Sequence, residues 1–325
     1  MKPSVVVLDS HTTSPLGIGE SDPAHPSWDR LAGIGELTLY PRTRPEEAVA
    51  RAAGAPIVLT NKVVLDRGAI EALPELRYIG LMSTGTNVVD LEAARERGIP
   101  VTNVPAYSTA SVAQHAIGLT LDLAGRLPEH ARLARSGEWS AQPDFSLVAG
   151  PTVELAGKAF GVVGCGAIGR ATAAIAHAMG MRILVHSRTR RETPFPCEWV
   201  DREEILRRAD VLSLHCPLDE RTRGWVDADA LRLLKPGAFV VNTSRGPLVD
   251  EEAVAEALRE GRLGGFAADV AGAEPPPADH PLLSAPRAIL TPHVAWATTE
   301  ARRRLMDTLA DNLEGFLRGT PRNVV

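Results

Sequence analysis

The feature that most constrains this chain is the stretch A-F-G-V-V-G-C-G-A-I-G at residues 159–169. Five apolar residues of strand type run into Gly164, Gly166 and Gly169, and residues 168–179 continue at helical spacing. That order of strand, glycine turn and helix is the one a dinucleotide pyrophosphate needs. Gly164 allows the tight turn, Gly166 removes the side chain that would hold a pyrophosphate off the backbone, and Gly169 lets the helix pack close to the strand. Ala167 and Ile168 open the helix, whose unpaired N–H groups and positive end face such an anion. The turn predicts a doubly wound parallel α/β sheet, with ligands held outside the carboxyl ends of its strands.

At 325 residues the chain is too long for one ordinary core and predicts two domains of about 100–200 residues each. A hydrophobic fraction of 44% with 23% charge is that of a soluble globular protein, and a net charge of −5 offers no general attraction to nucleic acid or membrane. Cys165, Cys197 and Cys216 are odd in number and lack metal-ligand spacing. They suit a reducing, cytoplasmic setting without a metal better than a disulfide framework. The apolar run before Asp9 is too short for a signal peptide or a membrane span.

Strand-type runs at 5–8, 37–40, 57–60, 78–82 and 101–104 alternate with helical patterns, which predicts a separate small α/β domain. Within it, residues 43–54 carry a capping box from Thr43 to Glu46, and residues 90–98 begin on Asp90 as N-cap. Residues 111–126 are apolar on most faces, as in a helix buried between domains or subunits. With the irregular arm at 136–155, which carries Trp139, this helix predicts a homodimer interface. His115 has no evident partner in the sequence and reads as a packed or surface histidine. Later strands are predicted at 159–163, 182–186, 211–214, 238–242, 265–269 and 288–290. A last helix at 298–318 is predicted to return to the first domain.

Three polar residues fall just beyond predicted strands of this second half: Arg245, Glu274 in a proline-stiffened loop, and His293 directly after Pro292. An imidazole beside a carboxylate is a tunable acid with a fixed tautomer. A guanidinium adds fixed charge and a planar donor fork for a carboxylate and an adjacent carbonyl. Those are the needs of a 2-oxo acid receiving a hydride. The plain alternative is an Arg245–Glu274 loop salt bridge with His293 incidental.

The end of the second strand bears on which nicotinamide cofactor is used. An acidic residue there accepts from the ribose hydroxyls and repels a 2′-phosphate. Here the position is Ser187, about 20 residues beyond the glycine turn, followed by Arg188, Thr189, Arg190 and Arg191. A hydroxyl and a guanidinium suit a phosphate, so NADPH is favoured, with NADH also used because a bare hydroxyl is not rejected. The alternative is a solvated basic turn.

Taken together these stretches resemble the D-2-hydroxyacid dehydrogenases, within them the glycerate dehydrogenase, or hydroxypyruvate and glyoxylate reductase, branch. The resemblance covers nearly the whole chain and rests on V-T-N-V-P-A-Y-S-T-A-S-V-A-Q from Val101, V-E-L-A-G-K-A-F-G-V-V-G-C-G-A-I-G-R from Val153, L-H-C-P-L from Leu214, N-T-S-R-G-P-L-V-D-E from Asn242 and T-P-H-V-A-W-A-T from Thr291. It implies that His293 is the general acid/base, Glu274 its partner, and Arg245 the residue that orients the substrate and polarises its carbonyl. It implies that the amides of Ser83, Thr84 and Gly85 bind the substrate carboxylate, and that Asp269 holds the nicotinamide carboxamide. Cys216, Pro217, Thr222 and Thr243 match positions lining the cofactor site. The family architecture implies a Rossmann cofactor domain, residues 106–291, inserted into a smaller flavodoxin-like substrate domain, residues 1–105 and 292–325. Such a pair closes around its substrate and excludes water.

Thr86 stands where such sequences often carry an aromatic residue, and Ala110 where an aspartate is common, so a larger 2-oxo acid is an alternative substrate. Another is a non-catalytic dinucleotide-sensing corepressor-like protein, which shares the fold and the three polar residues. A formate dehydrogenase resemblance would place glutamine at position 274, and only a short segment follows His293, which disfavours a phosphoglycerate dehydrogenase with a regulatory tail.

Overall fold

The structure, a computed structural model, describes residues 2–325. In chain order the first strands are β1 (Ser4–Val7), β2 (Glu36–Leu39), β3 (Ile57–Thr60), β4 (Tyr78–Leu81) and β5 (Val101–Thr102). The helices among them are α1 (Asp29–Ile34), α2 (Ala48–Ala52), α3 (Arg67–Glu71) and α4 (Leu91–Glu96). They form a five-stranded sheet in the order β2-β1-β3-β4-β5, parallel throughout. β3 and β4 are buried at every position, as expected of strands covered by helices on both faces.

Next come α5 (Thr109–Gly125), α6 (Leu127–Arg135), β6 (Ala159–Val163), α7 (Ala167–Ala178), β7 (Arg182–His186) and β8 (Glu198–Trp199). Then follow α8 (Arg202–Arg208), β9 (Val211–Leu214), α9 (Ala228–Leu233), β10 (Phe239–Asn242), α10 (Glu251–Arg259), β11 (Gly265–Ala268), α11 (Pro281–Ser284) and β12 (Ala288–Leu290). Their seven-stranded sheet runs β12-β11-β10-β9-β6-β7-β8, again all parallel. β6 is central, so the glycine turn after it lies where the strand order reverses, the crevice in which such sheets bind ligands. The last helix, α12 (Thr299–Leu317), stacks Phe316 on Tyr78 of β4 with ring centroids 4.6 Å apart.

The chain divides into two compact units, Met1–Ser108 with Ala297–Val325, and Thr109–Trp296. His293 therefore belongs to the second unit, although the expected boundary at 292 put it with the first. The reason is local: Asp269 accepts from the amides of Val294 and Ala295 and ties that segment to β11.

Helix starts follow side-chain chemistry. Asp66, Asp90, Asp201, Asp227, Asp250 and Thr298 each accept a hydrogen bond from the amide three residues on, which satisfies a donor the helix leaves free. The capping box expected at Thr43 and Glu46 forms one residue later, where Glu47 accepts from the Arg44 amide at 2.9 Å. Pro45 takes the first helical position, where a missing N–H costs nothing, and Thr43 instead accepts from Arg51. The helix read at 111–126 ends at Arg126, which turns left-handed at φ 50° and starts α6. Ala116, Ile117, Leu119 and Leu123 of α5 pack against Phe160, Val162 and Phe239 of the unit's own sheet. Each such buried leucine or isoleucine contributes about 1.5–3 kcal/mol, so α5 is anchored in its own unit.

Candidate active site

The glycine turn is shaped as its sequence requires. Gly164 is left-handed at φ 95°, and a Cβ there would lie 2.6 Å from the Cys216 amide nitrogen. A Cβ on Gly169 would collide with the Gly164 carbonyl. Gly166 is the N-cap of α7, offers no side-chain cap, and a Cβ on it would meet only open space. Ala167 and Ile168 begin the helix, so the helix end is bare and directed at that space. This geometry fits a pyrophosphate.

Beside it lies a cavity of about 250 Å³ whose lining includes Gly164, Gly166, Ser187, Arg188, Cys216 and Thr222, together with Thr189, Arg191, His215 and Pro217 among others. Ser187, Arg188 and Thr189 follow the end of β7. The Arg188 guanidinium lies 3.7 Å from the Asp219 carboxylate, and the same carboxylate caps the turn at Arg221 and Thr222. Burial pushes the Cys216 thiol up to about 11, so it lines the cavity as a neutral group rather than a nucleophile. Burial likewise lowers His215 to about 4, which keeps it uncharged at neutral pH. The buried hydroxyl of Thr243 has no hydrogen-bond partner among the described residues. An orphaned donor beyond β10, a bare helix end and a walled cavity together fit a nicotinamide dinucleotide.

An imidazole–carboxylate pair forms beyond the ends of β11 and β12. His293 Nδ1 is 2.6 Å from Glu274 Oε2, while Glu274 Oε1 accepts from the Ala271 amide at 3.2 Å. The pair is about one-third exposed, with side-chain accessibilities of 29% and 35%. His293 itself is left-handed at φ 55°, a conformation that costs a residue with a Cβ and persists only where the surroundings impose it. Asp269 imposes it here. Buried at the end of β11, its carboxylate accepts from Thr291 Oγ1 at 2.6 Å, the Val294 amide at 2.9 Å and the Ala295 amide at 2.7 Å.

His115 is the residue that sequence reading placed without partners. Its Nε2 lies 2.9 Å from Thr291 Oγ1 and 3.5 Å from Asp269 Oδ1, which extends the clamp to α5. Its signal was distance: Thr291 and Asp269 are far along the chain, and no local pattern joins them. Arg245 is exposed and donates to the Ser244 carbonyl at 2.8 Å.

In the first unit, Ser83, Thr84 and Gly85 follow β4. The Ser83 hydroxyl donates to the Gly85 carbonyl at 2.7 Å and the Thr84 hydroxyl to the Val104 carbonyl at 2.8 Å. These bonds hold the segment in a turn, and no hydrogen bond among the described residues uses its three amides. No group of three or more His, Cys, Asp or Glu among the described residues is arranged to hold a metal ion, and no described helix is long and apolar enough to cross a membrane.

Comparison with known proteins supplies the lineage. Residues 117–295 match the D-isomer specific 2-hydroxyacid dehydrogenase, NAD binding domain. The chain belongs to that dehydrogenase family. It is 40% identical over 326 residues to a hydroxypyruvate reductase of Blautia hydrogenotrophica, covering 99% of each chain. It is also 40% identical over 284 residues to a glycerate dehydrogenase of Methylorubrum extorquens, covering 86% of this chain and 88% of that one. Among solved structures it is similar to an NADPH-dependent glyoxylate/hydroxypyruvate reductase from Sinorhizobium meliloti in complex with citrate. That match has a TM-score of 0.84 and 30% identity over 100% of this chain and 98% of the other. As a 2-hydroxyacid dehydrogenase the chain carries an NAD-type dinucleotide domain, and the glycine turn just described lies within the matched segment.

Proposed function

We propose that this dehydrogenase reduces a small 2-oxo acid, with hydroxypyruvate and glyoxylate as first candidates, to the D-2-hydroxy acid. The observation that carries the reading is the 2.6 Å His293–Glu274 pair, held in a strained backbone by Asp269 in the unit that bears the glycine turn. A bound nicotinamide cofactor supplies the hydride. His293 gives the proton to the substrate oxygen, and Glu274 holds Nδ1 so that Nε2 faces that oxygen. Arg245 lies free of ion pairs among the described residues, which suits it to orient the substrate carboxylate and polarise the carbonyl. The amides of Ser83, Thr84 and Gly85 suit the carboxylate as well, and Asp269 and Thr243 suit the nicotinamide amide and ribose.

NADPH is the favoured cofactor in this reading. Ser187 replaces the acid that would repel a 2′-phosphate, and Arg188, Thr189 and Arg191 line the adjoining cavity. The NADPH dependence named for the Sinorhizobium meliloti reductase is consistent with it. The experiment follows cofactor absorbance with hydroxypyruvate, glyoxylate, pyruvate and phenylpyruvate, each with NADPH and NADH, in the wild type and Arg188→Ala. The expected outcome is turnover on the two smallest substrates. Arg188→Ala should lower the NADPH preference about tenfold, or about 1.4 kcal/mol, as the loss of one charge-assisted phosphate contact. Turnover on none, with the dinucleotide still bound, would make the chain a sensor instead, and an NADH preference in the wild type would overturn the cofactor assignment.

A further inference from the structure

Outside the groups already named, a second carboxylate–imidazole pair sits behind the catalytic segments. Glu251 is the first residue of α10, six residues beyond Arg245 on the same continuous segment. Its Oε1 accepts from the Gly272 amide at 2.9 Å, and its Oε2 lies 3.1 Å from His280 Nε2. The imidazole is nearly buried at 7% and the carboxylate at 17%. His280 Nδ1 in turn accepts from the Leu282 amide at the start of α11, which leaves Nε2–H to donate to Glu251. The positive end of α10 favours the carboxylate where it stands.

These bonds join two segments. One leaves β10 and carries Arg245; the other leaves the neighbouring β11 and carries Glu274, whose Oε1 is held by the Ala271 amide. The two backbones touch: a Cβ on Gly246 would collide with Ala271 and with the Gly272 nitrogen. A Cβ on Gly272 would come within 2.8 Å of Glu251 Oε2. Glycine at both places lets the segments close, and Glu251 then locks the closure from the Arg245 side.

We infer that Glu251 is a positioning residue, which holds the Ala271–Gly272 backbone against the Arg245 segment so that Glu274 meets His293 in register. His280 fixes the second oxygen of Glu251 and is part of the same device. The inference rests on the proposed roles of Glu274 and Arg245. The device acts through acceptor geometry: the Oε1 of a glutamine can still accept from the Gly272 amide, whereas its NH2 cannot accept from His280 Nε2–H, and an alanine accepts from neither.

The test compares wild type, Glu251→Gln and Glu251→Ala by hydroxypyruvate turnover, by NADPH titration and by backbone hydrogen exchange of the peptide spanning residues 268–275. Glu251→Ala should lose about ten- to hundredfold in kcat, the effect of a small misplacement of the reacting groups, while its NADPH affinity stays at the wild-type value. Exchange in that peptide should rise. Glu251→Gln, which keeps the acceptor for Gly272 and gives up the one for His280, should fall between wild type and Glu251→Ala in both kcat and exchange. Wild-type kcat and exchange in Glu251→Ala would overturn the inference, and so would a loss in Glu251→Gln as large as in Glu251→Ala. Should Glu251→Ala not fold, His280→Ala is read in the same way: a partial loss of kcat with faster exchange supports the device, and no change in either overturns it. If the wild type reduced no 2-oxo acid, the proposed function would fail, whereas the exchange measurement would still report the grip of Glu251 on Gly272.

Discussion

His215 shows how a single side chain ties stability to the cofactor cavity. It stands directly after β9, shares a 2.9 Å hydrogen bond with Ser213, and burial lowers its pKa to about 4 from an ordinary value of about 6.5. The folded form thus binds its proton less readily than the unfolded chain does. His215 has no effect on the pH dependence above about pH 7, and its contribution to stability is lost as pH falls from about 6.5 towards 4. Between pH 7 and pH 5 that loss is at most about 2 kcal/mol. Urea unfolding at the two pH values should show a smaller difference for His215→Gln than for the wild type. Equal differences would contradict this account of His215. At this scale the sequence was legible where function rests on local order, as in Gly164, Gly166 and Gly169. It was silent where function rests on contacts across the fold: His115 meets Thr291 and Asp269, and Glu251 meets Gly272 and His280, through no periodic pattern.

Elements were legible in proportion to their length and regularity. β3, β6 and β9 begin and end where their apolar runs do, because strands buried on both faces need near-continuous apolar sequence, and the less fully buried β7 and β12 also keep the ranges read from the sequence. β8, two residues at the sheet edge, has no pattern to read, and α6 was hidden because the chain only resets its direction at Arg126. After α6 the segment at 136–158 has no regular structure, yet it exposes Phe145 at 92% and, less fully, Val148 and Trp139. Large apolar groups clustered on an irregular arm are characteristic of surfaces that a partner covers. We propose that a second copy covers them, giving a homodimer through this arm and the exposed side of α5 and α6, where Leu121 and Leu127 lie open. Light scattering at micromolar concentration should give twice the chain mass, and Phe145→Asp with Val148→Asp should shift it toward the monomer. A monomeric wild type would contradict the assignment.

In the seven-stranded unit the His293–Glu274 pair and the glycine turn both lie at the ends of parallel strands. His293, Glu274 and Asp269 all follow β11 or β12, the glycine turn follows β6, and Arg245 follows β10. That arrangement was legible because strand ends can be counted in the sequence before any side chain is placed. The backbone strain at His293 and the clamp that maintains it were not, since they depend on how Asp269 meets Val294 and Ala295 in three dimensions. The central claim is that His293 delivers the proton during reduction of a 2-oxo acid. The most direct measurement is kcat for hydroxypyruvate at saturating NADPH in the wild type and in His293→Ala, with dinucleotide affinity measured alongside. The account predicts a fall of about two to four orders of magnitude in kcat with the dinucleotide bound as before. Near-normal turnover in His293→Ala would contradict it.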